Sequence, residues 1–96
     1  MTPIEFSDRK KEETREILKL ISKRGVSSIL RILRENPRRF SQIMFETKLN
    51  PSILDRHLKA LIKAGLVVKD GENYRLTDYG DYILKVLEDF FKSLDS

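Results

Sequence analysis

The sequence predicts one mostly helical α+β domain, and three observations lead to that prediction. The chain has 96 residues, which suits a single small core. Apolar residues recur at helical spacing over most of its length, in segments separated by Pro and Gly. Near residues 66–76 this spacing gives way to two short strand-like runs around a turn. The predicted order is helix, helix, short strand, helix, helix, hairpin, helix.

The first two predicted helices precede a proline. The first runs from about Asp8 to Lys23, with Ser7 as N-cap, and its apolar stripe comprises Ile17, Leu18 and Ile21. The second spans Val26–Glu35 and places Ile29, Leu30 and Leu33 on one face. It ends before Pro37, because a residue that precedes proline is pushed out of the helical region.

A short strand and a third helix follow. The strand is predicted in "RRF", residues 38–40. Ser41 is the expected N-cap of a helix that spans Ser41–Thr47. The side chains of this segment that are expected to point inward are Phe40, Ile43 and Met44.

The segment "NPSILDRHLKALIKAGLV", residues 50–67, predicts a fourth helix with defined ends. Asn50 suits the N-cap, and Pro51 suits the first helical position, where the missing N–H would be unpaired in any case. A capping pair of Ser52 and Asp55 is the alternative start. Gly65 ends the helix, and we expect Leu66 to fold back onto Leu61 or Ile62, as in a Schellman motif.

A hairpin and a last helix complete the chain. "LVVK" and "YRL" are strand-like and flank the turn "DGEN", in which Gly71 tolerates positive φ. Alternation along the second strand is expected to bury Tyr74 and Leu76 and to expose Arg75. Thr77 is the expected cap of the helix "DYGDYILKVLEDFFKSL".

Composition excludes several kinds of site. There is no cysteine and one histidine, so disulfides and thiolate metal sites are absent and no metal or other cofactor is expected. No apolar run approaches the roughly 18 residues that span a bilayer, and the first residues lack the apolar stretch of a signal peptide. We therefore expect a cytoplasmic protein without a membrane partner. Abundant Lys, Arg and Glu with few amides favour a heat-adapted source.

Charge is unevenly distributed along the chain. Residues 1–48 carry 12 basic and 7 acidic side chains, residues 49–76 carry 5 and 3, and residues 77–96 carry 2 and 5. A basic body with an acidic end indicates that one surface meets a polyanion and that the last helix has another role.

The fourth helix has two contrasting faces. Leu54, Leu58, Leu61 and Ile62 share one side, whereas the opposite side carries Ser52, Arg56, Lys59 and Lys63. One interpretation is a solvated basic face with an ordinary Asp55–Lys59 pair. The other follows from the order of elements, since a short helix, a tight turn, a basic helix and a hairpin form the layout of a winged helix–turn–helix.

The stretch "RRFSQIMFETKLNPSILDRHLKALIKAGLVVKDGENYRLTDYG" resembles the winged-helix regulators of the ArsR and HxlR type. The shared features are the phenylalanine that opens the first motif helix, "RHLKAL" in the second, "AGLV" before the wing and "YRLTDYG" after it. The resemblance covers about residues 26–84. It implies a recognition helix at 51–64 and a wing at 67–75. The cysteines of metal-sensing and redox-sensing relatives are absent, so those mechanisms do not transfer.

The resemblance implies double-stranded DNA as the partner. In the recognition helix it places five residues near bases or phosphates: Ser52, Ile53, Asp55, Arg56 and Lys59. Asp55 replaces a serine of many relatives, and the wing is short and contains two acids. From their positions we add Lys63 on the same helix face, Arg38, Arg39 and Ser41 at the start of the first motif helix, and Lys69 and Arg75 in the wing. His57 is interpreted as a boundary histidine held by a local hydrogen bond, with DNA contact as the alternative.

The last helix carries more apolar side chains than one stripe requires. We expect a homodimer through this helix, because exposed aromatic patches usually mark an interface. The residues predicted for this interface are Tyr79, Tyr82, Ile83, Val86, Leu87, Phe90, Phe91 and Leu94. The alternative is that the first helix of the same chain covers them. Dimerisation through terminal helices is also what the resemblance implies.

The predicted architecture is thus a single domain of residues 1–96. It comprises an N-terminal helical arm at 1–24, a helix–turn–helix core with its wing at 25–76, and a C-terminal dimerisation helix at 77–96. We expect a sequence-specific regulator that binds an inverted-repeat operator. The alternatives are a winged-helix protein-interaction module and a nonspecific architectural DNA binder. No nucleophile–base pair or phosphate-binding loop indicates an enzyme.

Overall fold

The computed structural model describes the backbone of residues 3–95 and the side chains of residues 11–94. Within this range the elements follow the predicted order. In chain order they are α1 (Pro3–Ile21), α2 (Val26–Glu35), β1 (Arg38–Arg39), α3 (Phe40–Thr47), α4 (Pro51–Lys63), β2 (Val67–Asp70), β3 (Asn73–Leu76) and α5 (Asp78–Asp95).

Two predicted helix starts are wrong. Helix α1 begins at Pro3, so Ser7 lies inside it instead of capping it. Its charged first half is helical because Lys, Arg and Glu are good helix formers, and exposed pairs such as Glu12–Arg15 join neighbouring turns. Helix α3 begins at Phe40, one residue early, with Arg39 at the N-cap. The backbone N–H of Arg39 donates to Gln42 Oε1 at 3.0 Å, so Gln42 stabilises this end instead of Ser41.

The three strands form one antiparallel sheet in the order β1-β3-β2. Strand β1 pairs Arg38 with Tyr74 and Arg39 with Asn73, which attaches the start of α3 to the hairpin. Tyr74 is buried and Arg75 is exposed, as the alternation predicts. The hairpin is therefore an integral layer of the domain.

The core lies between α2, α3, α4 and the base of the hairpin. Its fully buried side chains include Ile29, Leu30, Ile43, Leu54, Leu58, Leu61, Leu66, Val67 and Leu84. Helix α5 contributes Leu84, and Ile17, Ile21 and Ile83 pack at the margin of the core. Burying such aliphatic side chains is the main stabilising contribution.

Both ends of α4 have the predicted caps. The backbone N–H of Ser52 donates to Asn50 Oδ1 at 2.8 Å, so Asn50 is the N-cap. At the other end Gly65 has φ +82°, and its N–H donates to the Ile62 carbonyl. The N–H of Leu66 donates to the Leu61 carbonyl at 3.0 Å, which completes a Schellman motif. These caps set the length of the helix.

Thr77 joins the end of α4 to the start of α5. Its hydroxyl accepts from the N–H of Gly80 at 2.9 Å, which is the predicted cap. The same hydroxyl donates to the Gly65 carbonyl at 2.7 Å, and the Thr77 N–H donates to the Leu66 carbonyl. The position of α5 is thereby tied to the C-terminus of α4.

Candidate nucleic-acid interface

Helix α4 is the centre of the candidate interface because one side is buried and the other faces solvent. Its buried side comprises Leu54, His57, Leu58 and Leu61. The exposed side chains are Ser52, Ile53, Arg56, Ile62 and Lys63 together with Lys59, and Asp55 is half-buried. A hydroxyl, a guanidinium and two ammonium groups therefore share the outer surface.

Ile62 is one predicted core residue that the structure places elsewhere. It was expected in the apolar cluster, but its side chain is 38% exposed. The buried face is centred nearer His57, which is 7% exposed and occupies the place expected for an apolar residue. Ile62 consequently lies at the border of that face.

His57 has a tertiary partner instead of the predicted local one. Its Nε2 lies 3.2 Å from the carbonyl oxygen of Arg24 in the turn between α1 and α2, so the ring N–H donates to that oxygen. Burial lowers the pKa of His57, and the positive charges of Lys23 and Arg56 act in the same direction. The residue therefore anchors α4 from within and lies away from the exposed face.

One ion pair modifies the outer face of α4. Lys59 Nζ lies 2.9 Å from Asp55 Oδ2, one turn away. This hydrogen bond raises the pKa of Lys59. The charge of Asp55 is therefore compensated within the helix.

The two arginines before α3 have different environments. The side chain of Arg38 is 15% exposed, and its Nε lies 3.0 Å from Glu46 Oε2. Arg39 is exposed, and its Nη2 lies 3.5 Å from Glu72 Oε2 at the wing turn. Ser41 is exposed on the first turn of α3. Arg39 and Ser41 are accessible to a ligand at this helix end, whereas Arg38 mainly holds α3 in place.

The wing carries both signs of charge. Lys69 Nζ lies over the ring of Tyr74, 5.5 Å from its centroid. Arg75 Nη2 lies 3.9 Å from Asp70 Oδ2, and both side chains are exposed. Strand β2 packs on α4 and β3 pairs with β1, so the wing, the start of α3 and α4 form one connected region.

Lys48 is a further basic residue of this region that is not among the predicted contacts. It occupies the turn between α3 and α4 with φ +62°, and its ammonium lies 4.3 Å from the ring centroid of Phe45, an exposed residue. A basic residue in the turn directly before α4 was the available signal. Its left-handed backbone was not evident, since Gly or Asn is the usual residue there.

A separate apolar surface lies along α5. The predicted interface residues Tyr79, Tyr82, Val86, Phe90, Phe91 and Leu94 are exposed, and Ile83 and Leu87 are half-buried. A groove between α5 and α1 is lined by Ile17, Leu18, Ile21, Ile83, Val86 and Phe90 among others. Helix α1 therefore flanks this apolar surface and leaves much of it uncovered.

The described residues contain neither a metal-binding group nor a membrane span. No cluster of three or more His, Cys, Asp or Glu side chains is arranged to hold a metal ion within them. None of the helices in the described range has the length and apolarity needed to cross a bilayer.

Comparison with known proteins establishes the family. Residues 23–69, from the turn before α2 into β2, match the family model described as bacterial regulatory protein, arsR family. The uncharacterized HTH-type transcriptional regulator MJ0361 of Methanocaldococcus jannaschii is 32% identical in an 81-residue alignment that covers 75% of this chain and 76% of that protein. The chain belongs to the ArsR family of helix–turn–helix regulators.

Solved structures of similar shape confirm the fold. The quinone-bound YodB from B. subtilis superposes with a TM-score of 0.79 at 24% identity. The match covers 88% of this chain and 97% of the YodB chain. The homodimeric winged helix–turn–helix DNA-binding domain Mb0332 from Mycobacterium bovis has a TM-score of 0.74 at 19% identity, over 88% and 83% of the two chains. This member of the ArsR family is a winged helix–turn–helix with additional terminal helices.

Proposed function

We propose that this ArsR-family chain is a sequence-specific transcriptional regulator that binds double-stranded DNA as a homodimer. The observation that carries the proposal is the two-sided helix α4. Its buried side fixes the helix on the core, and its outer side presents Ser52, Arg56, Lys59 and Lys63 to solvent. A helix of this width fits the major groove, where arginine can bind guanine bidentately.

Phosphate contacts come from the regions beside α4. Arg39 and Ser41 lie at the N-terminus of α3, where the helix dipole favours an anion. Lys48 precedes α4, Lys63 ends it, and Arg75 is exposed on the wing. In this arrangement Arg56 and Ile53 approach base edges, and Asp55 modulates Lys59. The wing contributes a phosphate contact through Arg75 more than insertion into the minor groove, because Asp70 and Glu72 at its turn oppose entry into that strongly negative groove.

The dimer forms through α5, with α1 at its side. Six aromatic or aliphatic side chains of α5 are exposed over 16 residues, more than a monomer of this size leaves uncovered without a function. The homodimeric state of the Mycobacterium bovis domain supports a dimer for this chain as well. In functional terms residues 1–24 and 77–96 then assemble the dimer, and residues 25–76 bind DNA.

A two-fold dimer predicts an inverted-repeat operator with half-sites about one helical turn apart. Selection from a random-sequence duplex pool, followed by fluorescence anisotropy, tests this directly. We expect enrichment of an inverted repeat that binds more tightly than a shuffled duplex of equal composition. If the dimer contacts about six phosphates, affinity falls on the order of a thousandfold between 50 and 200 mM salt.

The acidic wing favours a second candidate function, a protein-interaction module. Glu72 pairs with Arg39 and Asp70 pairs with Arg75, which reduces the positive potential at that edge. The selection experiment separates the candidates. Absence of binding to any duplex at 50 mM salt supports the interaction module, whereas equal affinity for enriched and shuffled duplexes supports an architectural DNA binder.

A further inference from the structure

Helix α5 is connected to α2 by a network of charged side chains that the proposed DNA and dimer contacts do not use. Arg34 Nη2 donates to Glu88 Oε1 at 2.8 Å, and Nη1 donates to Glu88 Oε2 at 3.2 Å. The Nε of Arg34 lies 3.4 Å from Asp81 Oδ1, two turns earlier on α5. The guanidinium thus binds both carboxylates from one position.

This contact has the geometry of a strong pair. Arg34 and Glu88 are 35% and 32% exposed, so water and salt screen them less than the surface pairs of α1. The bidentate arrangement restricts orientation as well as distance. The hydrogen bond from Arg34 also lowers the pKa of Glu88, because it stabilises the charged carboxylate.

The Arg34–Glu88 pair lies between the last buried residue that the structure describes in α5 and the exposed apolar end of this helix, where it can control the direction of that end. Leu84 is fully buried, and Glu88 lies one turn beyond it. From Asp89 to Leu94 the described side chains are exposed, and this segment carries Phe90, Phe91 and Leu94. Packed helices vary in crossing angle by about 15°, and such a rotation about Leu84 displaces Leu94, ~15 Å away, by about 4 Å.

We propose that Arg34 is a positioning residue that fixes the direction of α5 and thereby sets the distance between the two recognition helices of the dimer. Thr77 anchors the start of α5, and Arg34 holds it a second time beyond Leu84. Because the apolar segment follows, the angle held by Arg34 is transmitted to the partner subunit. This inference rests on the proposed homodimer.

The absence of cysteine allows a direct distance measurement. Ser28 is exposed on α2, so Ser28→Cys supplies a single spin-label site in the DNA-binding core of each protomer. Double electron–electron resonance then gives the label-to-label distance within the dimer. We expect Arg34→Met to broaden or shift this distance by about 4 Å, the displacement expected for a freed helix. Glu88→Gln should reproduce the change, and Arg34→Lys should restore it incompletely, because an ammonium cannot form the bidentate contact.

Arg31→Met is the matched control. Arg31 lies on the same helix and carries the same charge, but its Nε is 3.9 Å from Glu88 Oε2 and its side chain is half exposed. It should leave the distribution unchanged, with all variants equally dimeric by sedimentation. If an intermolecular dipolar signal is present and Arg34→Met leaves it unchanged, the positioning role is overturned and the dimer stands. Absence of any intermolecular signal overturns the dimer, and the positioning role with it.

Discussion

Arg56 is the residue whose substitution best separates base contact from phosphate contact. It is exposed on the outer face of α4 and has no carboxylate partner among the ion pairs of the described residues. We expect Arg56→Ala to weaken binding to the selected operator by about 1–3 kcal/mol and to relax preference at one base pair. Anisotropy titrations on operator variants measure both effects. Arg15→Ala, on exposed α1, removes the same charge elsewhere, and an equal loss for that control would contradict base reading.

Glu72 is expected to oppose DNA binding. In the free protein its Oε2 forms an ion pair with Nη2 of Arg39 at 3.5 Å. A DNA phosphate must therefore displace Glu72 before it can contact Arg39. Removing this carboxylate also removes repulsion, and an exposed pair is worth roughly 0.2–1 kcal/mol. We predict that Glu72→Gln raises affinity for a random duplex about twofold to fivefold at low salt, measured by fluorescence anisotropy. Asp89→Asn on α5 is the control, because it makes the same charge change away from the candidate nucleic-acid interface.

The gain from Glu72→Gln should depend on Arg39. In the double variant Arg39→Gln/Glu72→Gln the gain should largely disappear, because the released cation is gone. If the gain persists in full, Glu72 acts through general repulsion instead of through this pair.

His57 predicts a pH dependence of stability. Its folded-state pKa is below the ordinary value near 6.5, so the unfolded chain binds the proton more readily. The contribution of His57 to the free energy of unfolding is therefore fully present above pH 6.5. It is lost as the pH falls toward the folded-state pKa. His57→Gln retains a donor for the Arg24 carbonyl but cannot titrate. Urea denaturation at pH 7.5 and 5.0 should show a larger loss for the natural chain than for the variant.

At the scale of elements, the junction between the wing and α5 depends on Gly80. A methyl group there would overlap with the Leu66 carbonyl oxygen and lie 2.7 Å from Leu76 Cδ1. That carbonyl already accepts from Thr77, so it has little freedom to move. We expect Gly80→Ala to destabilise the fold by about 1–3 kcal/mol despite the higher helix propensity of alanine. Asp89→Ala, an exposed position of the same helix, should change stability by less than about 0.5 kcal/mol in the same denaturation assay.

Element positions were predictable where local chemistry determines them. Asn50, Gly65 and Thr77 cap their helices through hydrogen bonds within a few residues of chain, and these predictions are confirmed. The predicted start of α1 is wrong because a highly charged segment shows no apolar periodicity. The buried position of His57 and the Arg34–Glu88 contact were not predictable, since their partners lie 33 and 54 residues away.

For the whole molecule, charge and apolar surface are divided between different elements. The sequence shows this division as a basic body and an acidic end, and the structure places basic side chains on α4 and an apolar surface on α5. Two copies joined through α5 would present two basic helices to one DNA duplex. The pairing of Arg39, Lys59 and Arg75 with carboxylates lowers the charge available for indiscriminate binding. Affinity then depends more on contacts specific to the operator.

The most direct test of this account is methylation interference combined with hydroxyl-radical footprinting on the selected duplex. Guanine N7 lies in the major groove, so its methylation blocks a helix that reads that groove. We predict two symmetric groups of interfering guanines about one helical turn, roughly 10 base pairs, apart, each within a protected backbone segment. A single group, or protection without N7 interference, would contradict major-groove reading by a two-fold dimer.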